Sequence, residues 1–560
     1  MLKQFILRNR YFTIKNFIIV FFLSYFFIGF NIHKDYGISF DEETNRLYGL
    51  TNGNYILKKF LNENFYDKIF TEVTQSKFPD KIKIKEPTDL HDFFDKAYGV
   101  FFELPLATLE VILNIKDDRE VFLFRHLITF IFFWFSLIYF YLLLKKIFNN
   151  ELISFLGVIL LIINPRIFAN SFYNSKDIVF LGLFVISNYY GFSLIQKKKI
   201  KNILLFCFFS AGLINLRLFG AIVPIAIYVN LFIDNYKKKK FADFNYLIIF
   251  IVTLFFYFIF TPVLWENPLT NFLNIINHFS NLPEYHTLYN GKFIETTKTP
   301  WHYIAVWIII TTPLLSILLF ISGIFIFFKF YLNINNDHKI IYVLSAIIFY
   351  ILVPYIIFNL LNITMYDGWR HLYYMYTIII IISLFTIKYV IDLKYKNILF
   401  YLSILIILII VNIFNLIKKH PYQNIYFNSF FIKNSLEKFE KDYWGLSDKQ
   451  ILETFIEIEK NENVYLYDYS GSMFKTSLKI LEPNIRKKFI NYSDNFSELQ
   501  NYQGKIYFFL NNRHNPNYDL IKKYADTLFE IVDTNVIING VYRFQDLDTY
   551  NLWKEKLKNK

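Results

Sequence analysis

Apolar runs of about 20 residues recur along most of the chain and are separated by short polar stretches. A run of this length can cross about 30 Å of hydrocarbon as a helix. The pattern predicts about eleven membrane spans, at 13–32, 121–144, 152–168, 178–195, 202–214, 217–233, 246–264, 304–328, 340–361, 373–390 and 398–417. Polar residues interrupt the runs at 152–168 and 202–233, and a span is most easily miscounted there.

The same pattern divides the chain into two parts. Residues 1–420 are predicted to form an α-helical polytopic membrane domain with a large first outer loop at 33–120. Beyond His420-Pro421 the chain becomes polar and mixed, which predicts a small α/β domain over 421–560. In this part, helical patterns run at 430–441, 448–460 and 517–528, and strand patterns run at 464–469, 505–512 and 536–545. Asn539-Gly540 predicts a hairpin turn in the last strand pattern.

The first outer loop contains apolar residues at helical spacing. They are Ile56, Phe60, Phe65 and Ile69, with polar residues between them. Such a helix either lies in the membrane interface or packs on the core of its own loop. The sequence leaves both alternatives open.

The net charge of +13 indicates membrane topology rather than nucleic-acid binding. Cytoplasmic loops are enriched in Lys and Arg, and here the cations cluster beside alternate ends of the spans, at 3–10, 145–146, 197–201, 237–240, 329–339 and 388–396. The N-terminus is therefore predicted to be cytoplasmic, and an odd number of spans places the tail outside. With 55% hydrophobic residues and one cysteine, Cys207, the chain is neither disordered nor held by an intrachain disulfide.

Polar and ionisable residues gather at the predicted outer ends of the spans. They occur at 164–166, 174–177, 215–217, 265–268, 301–303 and 367–371. Ionisable groups at membrane depth are costly and usually serve a function. A transporter would also need ionisable residues or broken helices near the midplane, whereas the middle of these spans is almost wholly apolar. The pattern therefore favours an enzyme that acts at one surface on a lipid-linked substrate.

An acidic pair, Asp41-Glu42, follows the first span within FDEETNRLYG. With this pair, the chain resembles the GT-C-type glycosyltransferases. It is most similar to family 39, the protein O-mannosyltransferase and aminoarabinose-transferase group, and especially to its bacterial phospholipid carrier-dependent members. The other similar segments are YGVFFELP (98–105), FRHLITF (124–130), NPRIFANSFYNSKDI (164–178), NLRLFG (215–220), DGWRHLYY (367–374), HPYQNIYFN (420–428) and FEKDYWGLS (439–447).

The resemblance implies a reaction. An inverting transferase would move a sugar from a polyprenyl-phosphate carrier to an acceptor hydroxyl on the outer face, in what we expect to be a bacterial plasma membrane. Asp41 matches the catalytic base, and Glu42 would orient it or contact the acceptor. The leaving phosphate would need cations, and the candidates are Arg217, Arg370, Lys176, Arg166 and, as a hydrogen-bond donor, His371. Asp177 is either a second acidic site residue or the partner of Lys176.

The sequence predicts no cofactor and no metal. His91, Asp92 and Asp95 have the spacing of metal ligands, but a polar loop explains them better. Some GT-C enzymes use a divalent metal beside the acidic pair, so that alternative stays open. No glycine-rich phosphate loop is present, which argues against a soluble nucleotide donor.

Two other functions remain as alternatives. One is a polymerase or ligase of polyprenyl-linked glycans, and the other is a flippase or transporter of lipid-linked sugars. The expected partners are the lipid-linked donor, membrane lipids and an acceptor, which is a glycan, a lipid or a protein. No nucleic-acid partner is expected.

Overall fold

We describe the protein from a computed structural model. The structure describes residues 14–61, 89–239, 244–332, 337–393, 398–431, 437–459, 464–468, 476–482, 485, 492–493, 505–514, 518–533, 536–545 and 547–558. The predicted positions Phe65 and Ile69, and the basic residues at 3–10, lie outside these ranges.

Up to Lys418, the regular structure of the described residues is helical apart from one short hairpin. The helices of the first half are α1 (Ile14–Ile32), α2 (Glu42–Phe60), α3 (Glu103–Ile112), α4 (Asp118–Phe148), α5 (Glu151–Ile162), α6 (Pro165–Tyr173), α7 (Asp177–Gln196), α8 (Ile200–Leu216), α9 (Ile222–Lys237) and α10 (Asn245–Phe260). They are followed by α11 (Pro268–Ser280), the hairpin β1 (His286–Tyr289) and β2 (Lys292–Glu295), α12 (Tyr303–Thr311), α13 (Leu314–Ile326), α14 (His338–Ile347), α15 (Val353–Leu360), α16 (Met375–Asp392) and α17 (Ile398–Lys418).

Each predicted span coincides with a helix or with a pair of helices. Within the described ranges, eight helices are long and apolar enough to cross a membrane, and α5 with α6 gives a ninth candidate that is bent by 73°. The remaining two predicted spans, 202–214 and 246–264, correspond to the shorter apolar helices α8 and α10. The polytopic helical architecture is confirmed, whereas the number of crossings stays a prediction.

The bend between α5 and α6 has a local cause at Asn164-Pro165. The Asn164 side chain accepts a hydrogen bond from the backbone N–H of Ile167, and Pro165 occupies the first turn of α6. An Asn cap followed by proline starts a new helix, since proline has no N–H to donate to the preceding one. The polar interruption that made this run ambiguous in sequence is therefore a helix boundary.

The first outer loop begins with a helix that starts earlier than its apolar spacing suggested. Helix α2 starts at Glu42, directly after Asp41, and ends at Phe60. It packs on α3, and its buried face includes the polar residues Asn45, Arg46 and Asn52. The loop therefore has an interior of its own, and that interior is partly polar. Of the two alternatives that the sequence left open, the helix packed on the core of its own loop is closer to this arrangement than a helix in the membrane interface.

Beyond α17 the chain forms a five-stranded sheet with helices. The elements are α18 (Asp448–Ile458), β3 (Val464–Asp468), β4 (Tyr492–Ser493), β5 (Lys505–Asn511), α19 (Tyr518–Ile521), β6 (Ala525–Asp533), β7 (Val536–Phe544) and α20 (Leu547–Lys558). The strand order is β4-β3-β5-β7-β6; β3 is parallel to both β4 and β5, and β7 is antiparallel to both β5 and β6. The predicted α/β character of the C-terminal part is confirmed, while its boundary at 420/421 stays a prediction.

Three sequence predictions in this part are wrong. Asn539-Gly540 is not a turn, because β7 continues through it and Gly540 pairs with both Leu510 and Glu530. The helical pattern at 517–528 yields only the short α19, and β6 begins at Ala525 because the edge of β7 is available for pairing. The pattern at 430–441 is not helical over its described residues 437–441.

Candidate active site

The acidic pair lies at the start of α2, at the end of the segment that follows α1. Asp41 is the residue immediately before this helix, and its side chain is 27% exposed. Glu42 and Glu43 occupy the first turn of α2, where the N-terminal end of the helix dipole favours negative charge. Asp41 is thus partly exposed, whereas the neighbouring Glu42 is buried.

Each of the three consecutive carboxylates has a different partner. The Asp41 carboxylate lies 3.6 Å from an Nη of Arg370. The Glu42 carboxylate accepts a hydrogen bond from the backbone N–H of Ser39 at 3.0 Å and contacts His126 Nε2 at 2.9 Å. Glu43 turns towards the C-terminal part of the chain. The segment is therefore held at three points by parts of the protein that are distant in sequence.

Asp177 brings together the two arginines that the sequence suggested. Its buried carboxylate accepts a hydrogen bond from Arg370 at 2.9 Å and forms an ion pair with Arg217. Asn174 also donates to it, at 3.0 Å. Asp177 therefore pairs with the two arginines rather than with Lys176, and through Arg370 it is linked to Asp41.

Arg370 is enclosed by aromatic rings. Its guanidinium carbon lies 4.8 Å from the ring centroid of Tyr366, 4.7 Å from Trp444 and 5.3 Å from Tyr443. Burial alone would lower the pKa of Arg370, but the neighbouring Asp177 carboxylate outweighs it, so the pKa is raised well above its usual range. This cation stays charged at any physiological pH.

Lys176 projects over aromatic faces beside the acidic segment. Its Nζ lies 4.0 Å from the ring centroid of Tyr98 and 4.4 Å from that of Tyr48. Burial lowers the pKa of Lys176 to about 8, although the Asp41 carboxylate works against that shift. Lys176 is therefore mainly charged at pH 7 and loses its charge as the pH rises through about 8.

The loop that carries Arg370 contains two further titratable groups. Burial raises the pKa of Asp367 to about 6, even though its carboxylate lies 3.7 Å from Arg370 Nε. Burial and the charges of Arg217 and Arg370 hold the pKa of His371 well below its usual range. His371 is therefore neutral and can donate one hydrogen bond. Its ring packs edge-on against Tyr366, with 4.9 Å between the ring centroids.

A buried network of ion pairs and hydrogen bonds connects α2 to α3, to α4 and to the turn before α7. Arg46 of α2 donates to Glu110 at 2.8 Å, and Arg125 of α4 pairs with both Glu110 and Glu103 of α3. Glu103 also accepts a hydrogen bond from Ser175 at 2.5 Å, in the turn just before Lys176 and Asp177. The network therefore joins the helix that follows Asp41 to the loop that carries the second acidic residue.

Part of the chain matches a known protein family. Residues 107–265 match the family described as dolichyl-phosphate-mannose-protein mannosyltransferase. The matched segment contains Arg166, Lys176, Asp177 and Arg217, and it ends before Arg370.

Over these residues, the match confirms the predicted resemblance to the protein O-mannosyltransferase group.

A solved structure and a search of curated proteins complete the comparison. The crystal structure of ArnT from Cupriavidus metallidurans bound to undecaprenyl phosphate aligns over 94% of this chain and 97% of its own, with a TM-score of 0.42 and 8% identity. No curated protein matches the chain significantly.

One predicted phosphate ligand, Arg166, has its contacts away from Asp41. Arg166 is buried, its Nε donates to the carbonyl of Tyr426 at 3.1 Å, and its guanidinium packs on the rings of Trp307 and Phe427. These contacts attach the segment after α17 to α6. Among the described residues, Arg166 has no direct contact with Asp41, Arg370, Asp177 or Arg217, and its role as a phosphate ligand stays a prediction.

Sequence reasoning missed several residues that contact the candidate site or its supporting helices. Glu103, Arg125 and His126 lie in segments that resemble the family, so the similarity was a signal, but the partners were not assigned. Arg513 gave no signal at all, although its guanidinium lies 4.4 Å from the Tyr443 ring centroid and 5.0 Å from that of Phe40. It follows β5, in a part of the chain without recognised motifs.

The residues with metal-ligand spacing have other partners. His91 Nε2 contacts Glu266 at 3.2 Å, and Asp95 accepts a hydrogen bond from Tyr48 at 2.8 Å. Among the residues that the structure describes, no group of three or more His, Cys, Asp or Glu side chains could hold a metal ion.

Proposed function

We propose that this protein is an inverting glycosyltransferase that moves a sugar from a polyprenyl-phosphate carrier to an acceptor hydroxyl at the outer face of the membrane. One observation carries the proposal: a partly exposed carboxylate, Asp41, lies beside Arg370, which shares Asp177 with Arg217. A base and a pair of fixed cations next to each other suit the attack of a hydroxyl on a sugar phosphate.

The acceptor oxygen attacks the anomeric carbon as the bond from that carbon to the phosphate oxygen breaks. Asp41 takes the proton of the acceptor hydroxyl, and the bonding electrons leave with the polyprenyl phosphate, which gains one negative charge. A carboxylate within hydrogen-bond reach of the acceptor contributes by general base catalysis. Glu42 has its oxygens engaged by Ser39 and His126, so its role is to orient the start of α2.

The charge that develops on the phosphate meets Arg217, Arg370 and Lys176. Arg217 is 29% exposed and uses one Nη on Asp177, which leaves the other Nη to donate to phosphate oxygens. Fixed cations that face developing charge in a site with little water stabilise the transition state strongly. His371 adds a neutral donor from the same loop as Arg370.

The test uses the purified full chain in lipid nanodiscs with a panel of labelled polyprenyl-phosphate sugars. We expect sugar-dependent release of polyprenyl phosphate together with a glycosylated acceptor, drawn from glycan, lipid and peptide fractions. Release only from pyrophosphate-linked sugars would indicate a polymerase or ligase. Transbilayer movement of the donor in vesicles without release of polyprenyl phosphate would indicate a flippase.

A further inference from the structure

The third carboxylate of the acidic segment is bonded to the C-terminal part of the chain. Glu43 lies 2.6 Å from Lys479 Nζ and accepts a hydrogen bond from Thr476 at 3.2 Å. The Lys479 side chain is 1% exposed, and Glu43 is 22% exposed. A C-terminal lysine therefore reaches a residue only two positions after Asp41.

The turn that carries Lys479 is fixed by apolar packing on both sides. Leu478 and Ile480 flank it, and both belong to one buried cluster with Ile38, Phe122 and other residues. Ile38 precedes Asp41 by three residues, and Phe122 belongs to α4. The C-terminal sheet and the acidic segment therefore share one core, and Lys479 is held in place over the first turn of α2.

A second set of contacts lies next to the Glu43–Lys479 ion pair. The Phe40 backbone N–H donates to the Trp444 carbonyl at 3.2 Å, and a Cβ on Gly37 would lie 2.6 Å from the Leu446 carbonyl oxygen. The residues just before Asp41 thus lie directly against the junction to the C-terminal part. The side-chain contact at Glu43 is ionic, and it can be changed without altering this backbone packing.

We propose that Lys479 is a positioning residue that acts through Glu43 to aim Asp41 at the acceptor and at Arg370. The proposal rests on the proposed function, because it assigns Asp41 the role of base. A buried ion pair adds little net stability compared with apolar packing, since both charges lose their hydration. It does define one geometry, and transfer reactions lose rate when a reacting group is misplaced by about 1 Å.

The test compares Lys479→Met with Lys479→Arg and with the exchange Lys479→Glu/Glu43→Lys. We expect Lys479→Met to lower kcat by about 10-fold or more, while the KM for the donor stays within about 2-fold, because Asp41 is misaimed while the cations that meet the phosphate are untouched. Lys479→Arg should restore at least a third of the lost rate, and the exchange should recover part of it. Glu43→Gln supplies the same break if Lys479→Met does not fold.

The matched control is Lys419→Met. Lys419 forms another ion pair between the two parts of the chain, 2.5 Å from Asp533, away from the acidic segment. We expect its kcat to stay within about 2-fold of wild type. An equal fall in kcat for the Lys419 and Lys479 variants, an unchanged kcat for Lys479→Met, or a change in donor KM alone would overturn the proposal.

Hydrogen exchange separates this proposal from the proposed function. Lys479→Met should speed amide exchange in peptides covering 38–50, and Lys419→Met should not. If wild type turns over no lipid-linked sugar, the proposed function fails, and faster exchange in 38–50 still supports the positioning contact. Unchanged amide exchange in 38–50 would overturn the claim that the Lys479–Glu43 contact holds this segment in place.

Discussion

At the scale of single residues, the site combines one accessible carboxylate with cations that differ in burial. Arg370 is 2% exposed and already holds Asp177, whereas Arg217 is 29% exposed. Their substitution should therefore have different consequences. Loss of Arg370 leaves a buried carboxylate short of a partner and affects folding as well as binding, while loss of Arg217 mainly affects the ligand.

Asp41→Asn should lower kcat by about 100-fold or more, because the amide keeps the shape of the side chain and loses its basicity. Turnover and donor binding are measured on the same purified sample, and binding should persist. Asp92→Asn, an exposed residue of the same outer loop, is the control and should turn over normally. Near-normal turnover by Asp41→Asn would exclude this residue as the base.

Arg217→Ala should weaken donor binding by about 1.5–3 kcal/mol, the usual contribution of a hydrogen bond to a charged group. Equilibrium binding of a labelled polyprenyl-phosphate sugar measures it. Arg119→Ala is a matched control, since Arg119 is 30% exposed and pairs with Glu120 outside the site. Equal affinities for the two variants would remove Arg217 from the donor site.

Donor binding should weaken as the pH rises through about 8, because burial lowers the pKa of Lys176 to that value from its ordinary 10.5. A sugar phosphodiester keeps its charge over this range, so the change belongs to the protein. The effect of Lys176 on folding has the opposite sign. Between about pH 8 and 10.5 the unfolded state binds more protons, so this residue's contribution to stability rises with pH.

Binding measured from pH 6.5 to 9.5 tests this dependence, with Lys176→Arg as the comparison. Arginine stays charged throughout, so the variant should bind the donor with little change over the range. A flat profile for the wild-type protein would show that Lys176 does not contribute its charge to the donor site.

At the scale of elements, the outer loop is organised by buried ion pairs rather than by an apolar core alone. Arg125 pairs with Glu103 and Glu110 between α3 and α4, and Arg46 adds α2 to the group. Three helices with limited apolar contact are thus fixed relative to one another. The contacts also explain why the polar residues of α2 are buried.

Arg125→Met should destabilise the protein by about 3–5 kcal/mol, because it leaves two buried carboxylates without one of their partners. Unfolding of the purified protein in a mild detergent, followed by intrinsic fluorescence during titration with a denaturing detergent, measures the change. Arg119→Met lies on the same helix but is solvent-accessible, and it should change stability by less than about 0.5 kcal/mol. Comparable losses in both variants would contradict a special role for the buried network.

At the scale of the whole molecule, the C-terminal part and the acidic segment lie together. Lys479 contacts Glu43, and the sheet shares its core with residues of the first outer loop and α4. Whatever side of the membrane contains Asp41 therefore also contains the tail. Lysine clusters on alternate loops predict that this side is outside the cytoplasm.

Alkaline phosphatase fused after Lys560 should be active, and a fluorescent protein fused at the same position should not fluoresce. Both results follow because the tail and Asp41 are expected outside the cytoplasm. A truncated fusion after Lys239, which ends in a predicted cytoplasmic loop, should behave in the opposite way. A fluorescent, phosphatase-negative tail would reverse the proposed orientation of the membrane domain.

The sequence alone determined where the long apolar helices lie and which polar residue types flank them. Apolar length is a local property, and therefore each predicted span coincides with helical structure. The acidic pair and the arginines could be recognised for a related reason: a charged side chain beside an apolar run stands out wherever it folds. The family match covers both the 164–178 segment and the 215–220 segment.

Only the tertiary structure decided which of these residues are partners. Arg370 meets Asp177 from 193 positions away, and Lys479 meets Glu43 across most of the chain. The same holds for β6, which is a strand because β7 offers it an edge, against its local helical pattern. Spans depend on the composition of one segment, whereas ion pairs and strand pairing depend on which distant segment packs beside them.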